Sequence, residues 1–124
     1  MIEARSNAAG LDLERVRAAA RRALVPLQPT NALPPDYLVR FLLIDLLGFR
    51  NNGRFDKVAW SVPIDLDGRA FLIEHRKFGL GVFGGSTPED LEGAKALARL
   101  LHRGVKASKA YFTWLAEEAG RPQH

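Results

Sequence analysis

The stretch KVAWSVPIDLDGRAFLIEHR, residues 57–76, decides the fold. Val58, Trp60, Val62, Ile64 and Leu66 alternate with Lys57, Ala59, Ser61, Pro63 and Asp65, the period of a half-buried strand. Asp67-Gly68 is a two-residue hairpin turn, of the kind whose central positions need positive φ. The return strand runs from Arg69 to Arg76. With the turn placed there, Leu66 faces Arg69, Ile64 faces Phe71, Val62 faces Ile73 and Trp60 faces His75. The apolar side chains then share one face, and a slip of one residue would scatter them. Pro63 cannot donate to a ladder, so it marks an edge or a bulge.

Toward the C-terminus, residues 78–84 form a third strand after a tight turn near Lys77. A helix start follows: Thr87 as N-cap, Pro88 at the first helical position, Glu89 and Asp90 in the first turn. Downstream, Leu91, Ala94, Ala98, Leu101, Val105, Ser108, Phe112, Leu115 and Ala119 recur in steps of three and four, a heptad-like seam. Gly104, after His102 and Arg103, leaves two expectations open. One is an unbroken helix over 88–119, about 48 Å long. It would overhang a domain with a radius of gyration of about 14 Å, and its apolar stripe would need a partner. The other is a helical pair, broken at Gly104, that folds back.

Toward the N-terminus, Asn51-Asn52-Gly53 reads as a turn. Residues 35–47 read as a helix, with Pro35 in its first turn, Asp36 beside it and Gly48 as C-cap. Tyr37, Leu38, Phe41, Leu42, Ile44, Leu46 and Leu47 leave almost no polar face except Arg40 and Asp45, so burial on most sides is expected. Residues 26–33, with Pro26 and Pro29, read as a linker. Residues 11–25 read as a first helix, with Leu13, Val16, Ala20 and Leu24 on one stripe and Pro26 as its stop. The expectation is one α+β domain over 1–124. It has two N-terminal helices, a three-stranded antiparallel sheet (hairpin 57–76 plus strand 78–84) and a long C-terminal helix or helical pair.

From residue 35 onward, the order is helix, strand, strand, strand, helix. The glycine-rich run from Gly79 to Ser86 leads into Ala94-Lys95-Ala96-Leu97-Ala98. In this order, over about half the chain, it resembles the double-stranded-RNA-binding domain. The resemblance implies topology alone. Where that family sets lysines at the helix start, this chain has Pro88-Glu89-Asp90, whose carboxylates would repel a backbone phosphate.

At 124 residues, with 47% hydrophobic and 26% charged residues, the chain has ordinary globular composition. It contains no cysteine, which excludes disulfides, thiolate metal sites and a cysteine nucleophile within the chain. The 18 Lys/Arg and 14 Asp/Glu give a net charge of +4, spread along the chain. Two stretches lack acids: Arg15 to Arg22 and Lys95 to Lys109. The N-terminus has no apolar signal region, and the longest apolar run, Phe41 to Ile44, falls far short of the ~20 residues of a membrane span. A cytoplasmic location without membrane partners is expected.

Asp65, Glu74 and the basic Arg76-Lys77 invite comparison with metal-dependent nucleases of the PD-(D/E)xK kind. In the hairpin register, however, the carboxylates lie more than ~10 Å apart. Gly79 to Gly84 spells G-x-G-x-x-G but overlaps a strand rather than a strand-to-helix turn. A phosphate at the helix start near Gly85 and Ser86 stays open as a reading. Asp65-Leu66-Asp67-Gly68 lacks the later ligands of a calcium loop. His75, His102 and His124 share no ligand spacing, and no serine has a triad context. No catalytic residue, metal or cofactor is therefore expected. Trp60, Phe71 and His75 are the candidate pocket, with His75 read first as a hydrogen-bonded core histidine.

The expected function is a non-enzymatic binding or regulatory module. It would self-associate as a homodimer, or take a protein partner, through Leu91, Ala94, Ala98, Leu101, Val105, Phe112 and Leu115. The chain also fits the N-terminal part of a larger signalling or regulatory protein. The alternative is a nucleic-acid-binding domain that contacts phosphates through Arg15 and Arg22 on one helix and Lys95, Arg99, Arg103, Lys106 and Lys109 on another.

Overall fold

The structure, a computed structural model, describes residues 4–5, 26–51, 60–77 and 79–120. The hairpin has the expected register. Strand β2 (Trp60–Leu66) pairs with β3 (Arg69–Arg76) from Leu66↔Arg69 through Ile64↔Phe71 and Val62↔Ile73 to Trp60↔His75. Asp67 and Gly68 both have positive φ, 53° and 81°, as a type I′ turn demands. Asp65 Oδ1 accepts the Gly68 N–H at 3.0 Å and locks the turn. Strand β4 (Gly79–Phe83) pairs antiparallel with β3.

A further two-residue strand, β1 (Ala4–Arg5), pairs with the other side of β2 at Leu66 and Asp65. The sheet therefore has four strands in the order β1-β2-β3-β4. Pro63 sits opposite Leu72. Counted from the hydrogen-bonded pair that closes the turn, this is a non-hydrogen-bonded position, so its nitrogen points away from β3. Its missing N–H therefore costs the β2–β3 ladder no bond.

Residues 26–33 are more than a linker. Leu27 N–H donates to Val82 O at 2.8 Å, and Val82 N–H donates to Gln28 O at 3.0 Å. Thr30 Oγ1 donates to Leu80 O at 2.8 Å. The segment thus lies along β4 and satisfies backbone groups that an open edge would expose.

The second expected helix is present but changes character along its length. Helix α1 (Asp36–Arg40) starts one residue after Pro35, whose carbonyl accepts the Leu38 and Val39 N–H groups at 3.1 Å each. From Phe41 to Leu46 the backbone widens into a π-helix, with Leu47 N–H reaching Leu42 O at 3.0 Å. At Gly48 (φ 71°) the chain reverses, and Phe49 N–H closes onto Leu43 O at 2.7 Å. Val39, Leu42 and Leu43 are buried, while Tyr37, Leu46 and Leu47 are exposed. Burial on most sides is therefore not what this segment shows. Its wide last turns place Leu46 and Leu47 outside the core.

Helix α2 (Pro88–Gly120) is one unbroken element of 33 residues, ~50 Å long. Gly104 does not break it. A β-carbon at Gly104 would stand 2.6 Å from Leu42 Cδ2, so the glycine lets α2 approach the π-helical segment. The N-terminus is a capping box: Asp90 N–H donates to Thr87 Oγ1 at 3.1 Å, and Thr87 N–H donates back to Asp90 Oδ2 at 3.1 Å.

One sheet face, with Val62, Ile64, Phe71, Ile73, Leu80 and Val82, packs with Val39, Leu42 and Leu43 and with Ala94, Leu97, Ala98, Leu101 and Val105 of α2. The period of two suggests a half-buried β2, yet all seven of its residues are buried. The opposite face carries Ser61, Ala70, Leu72, Glu74 and Phe83, and these are buried as well. Of the expected strand ends, residue 84 lies just past β4, whereas residues 57–59 and 78 lie outside the described residues, as does the expected helix over 11–25.

Candidate interaction surface

The expected pocket divides. Trp60 and His75 are cross-strand partners with ring centroids 6.4 Å apart. They line a cleft of about 500 Å³ with Asp36, Tyr37, Arg40 and Phe41 of the first helical segment. His75 is partly exposed there, and its Nε2 lies 3.7 Å from Asp36 Oδ2. It is a cleft-mouth residue, not a core histidine. Phe71 does not join them. It is fully buried below α2, where a β-carbon on Gly93 would meet Phe71 Cζ at 2.8 Å.

Asp65 and Glu74 serve separate local structures. Asp65 holds the turn. Glu74 is completely buried. Arg76 Nε donates to Glu74 Oε2 at 2.9 Å, and Ser61 Oγ donates to Glu74 Oε1 at 3.3 Å. The guanidinium also lies 3.5 Å above the Phe83 ring. Such a buried carboxylate needs these partners because burial removes its water. Alternation along β3 shows which face Glu74 shares, but not that this face is covered, so its burial has no signature in the hairpin itself.

The start of α2 is closed to a phosphate by its own sequence. Asp90 already occupies it, receiving the Thr87 hydroxyl at 2.8 Å and Arg69 Nη1 at 3.0 Å. Burial pushes the Asp90 carboxyl up, but the bonds from Thr87 and the Arg69 guanidinium outweigh this and hold it below the usual carboxylate range.

The expected seam splits in two. Ala94, Ala98, Leu101 and Val105 are buried in the chain's own core and offer little surface to a partner. Leu91 and Leu115 are exposed, and the side chain of Phe112 lies outside the described residues. Past Val105 no described side chain of α2 is buried. Two aromatic residues absent from the seam stand out there: Tyr111 and Trp114 are 51% and 53% exposed, with rings 6.1 Å apart.

These two share a helix face with Leu100, Gly104, Ala107 and Ser108. Those four border an apolar cleft of about 450 Å³, together with Leu42, Leu46, Leu47 and Phe49. The helical track 100, 104, 107, 111, 114 carries the signal, displaced from the heptad seam by one residue, or a little over a quarter of a turn. The cleft and the exposed stripe form one apolar surface, with Leu46 and Leu47 at one side and Tyr111, Trp114 and Leu115 at the other.

Lys95, Arg99, Arg103, Lys106 and Lys109 are all exposed, centred about a third of a turn from that stripe, with Arg103 at its border. His102 Nε2 lies 3.0 Å from Ala32 O, and because a carbonyl only accepts, Nε2 carries the proton. Arg15 and Arg22 lie outside the described residues. Among the described residues, no helix is long and apolar enough to cross a membrane. No known family model, curated protein or solved structure matches this chain. The α+β arrangement and its apolar surface are therefore what bear on function.

Proposed function

We propose that this chain is a non-catalytic binding or regulatory module that self-associates through the C-terminal half of α2. One observation carries the reading: the exposed Tyr111–Trp114 pair continues the apolar face that borders the cleft between α2 and the π-helical segment. Burying a large aromatic side chain removes roughly 150–250 Å² from water. A soluble surface rarely keeps several such groups together without a use for them.

A second copy fits this surface because it offers both halves of the contact. The cleft flanked by Leu46 and Leu47 is concave, and the helix end bearing Trp114 projects. In a two-fold dimer, residue i of one copy meets residue j of the other and the reverse. The Trp114 end of each copy would then fill the cleft of its mate.

The experiment is the mass in solution of the wild type and of Trp114→Glu/Leu115→Glu, by sedimentation over a concentration series. A dimer that the double substitution converts to a folded monomer supports the reading. A wild type that stays monomeric at its highest soluble concentration overturns it, as does an assembly indifferent to the substitution.

A further inference from the structure

From Gly93 to Ala116 the chain contains no aspartate or glutamate, and its charged residues are Lys95, Arg99, Arg103, Lys106 and Lys109. The whole stretch is helical, within α2. Spacings of four, four, three and three put all five on one side, and all five are exposed. Lys95, at one end, pairs with Glu92 at 3.3 Å. Arg99, Arg103, Lys106 and Lys109 form no ion pair among the described residues. Solvated helix faces usually intersperse both signs, since like charges three or four residues apart repel. Here the repulsion is left in place along ~21 Å of helix axis.

We infer that this strip binds the phosphodiester backbone of a nucleic acid. A duplex presents one charge per ~1.7 Å of its axis, so the length of the strip spans ~12 phosphates, more than enough for each cation. Arginine and lysine on a straight helix make a linear array that suits a linear polyanion. The contact is to the backbone, so binding is insensitive to base sequence. The acids at either end, Glu89, Asp90 and Glu92 before it and Glu117 and Glu118 after it, limit the footprint to the middle of α2. The centre of the strip lies about a third of a turn from the apolar stripe, and only Arg103 borders it, so Lys95, Arg99, Lys106 and Lys109 stay accessible when the stripe is covered.

The test is binding of the full chain to fluorescent duplex DNA, duplex RNA and vesicles of anionic phospholipid, over a salt series. The expected slope of log affinity against log salt for duplex DNA is about −4, from about −0.9 for each neutralised phosphate. The variant Arg99→Gln/Arg103→Gln/Lys106→Gln should bind at least tenfold more weakly at low salt, with a slope shallower by about three. Circular dichroism shows whether the variant keeps its helix, and single Arg103→Gln, expected to change the slope by about one, serves if it does not. Equal binding of DNA and RNA assigns the contact to the shared backbone, and a preference between them assigns it to one duplex geometry. No duplex binding at low salt, an unchanged slope in the variants, or binding to vesicles alone overturns the inference. Trp114→Glu/Leu115→Glu should retain the salt slope, so failure of the dimer and failure of this inference are distinguishable.

Discussion

Gly104 of α2 faces Leu42 of the π-helical segment so closely that a β-carbon there would stand 2.6 Å from Leu42 Cδ2. The contact sets the separation of the two helical elements and shapes the cleft between them. In an exposed helix, Gly→Ala gains about 1 kcal/mol. Here the added methyl must displace a leucine, and overpacking costs about 1–3 kcal/mol. Gly104→Val is expected to lower the unfolding free energy by about 2 kcal/mol in urea titration. In a Leu42→Ala background, where the obstructing methyls are gone, the same substitution should cost much less. Equal costs in both backgrounds would show that the contact does not control the packing.

The Glu74–Arg76 pair predicts a sharp asymmetry between single and double variants. Glu74 is completely buried, and its Oε2 accepts from Arg76 Nε at 2.9 Å. Arg76→Met removes the cation and leaves a buried carboxylate, a loss expected at about 3–5 kcal/mol. Glu74→Gln/Arg76→Met should be less damaging than Arg76→Met alone, because no charge is left stranded. A double-mutant cycle by chemical denaturation reads the coupling directly.

Asp90 makes the N-terminus of α2 sensitive to acid. Its carboxyl is held below its ordinary value in the folded chain. The stability it contributes is therefore present above the unfolded value and is lost as pH falls through the lower folded one. Asp90→Asn should destabilise the protein near neutral pH and make progressively less difference from about pH 5 downward. Thr87→Ala, which removes the other half of the capping box, should cost about 1 kcal/mol. A gap between wild type and Asp90→Asn that does not narrow in acid would refute the assignment.

Leu101 and Trp114 lie on the same helix but should behave oppositely. Leu101 is buried in the core, and Leu101→Ala is expected to cost about 2–5 kcal/mol of stability. Trp114 is exposed, so Trp114→Ser should leave the stability of the isolated subunit within about 0.5 kcal/mol while weakening assembly. Parallel denaturation and sedimentation measurements separate the two roles.

Much of the hairpin is legible in the residues themselves. Asp67-Gly68 admits positive φ at both positions, and the alternation from Trp60 to Leu66 selects one register. Thr87, Pro88 and Asp90 likewise announce the start of α2 through bonds that span only three residues. The candidate surface is legible only in part. Leu101 and Leu115 are indistinguishable within the heptad pattern, yet one is inside the domain and the other is exposed. Tyr111 and Trp114 become conspicuous only once the rest of their helix face is known to border a cleft.

The turn, the strand register, the helix cap and the absence of cysteine chemistry follow from the chain alone, because each rests on local dihedrals, short-range bonds or composition. The burial of Glu74 with Arg76, the close approach at Gly104 and the exposure of Leu46 and Leu47 are outcomes of packing. So is the division of the apolar seam between the half consumed by the core and the half left outside. Those outcomes depend on what covers each face, and covering is made by segments distant in the chain, which no periodicity within one element encodes.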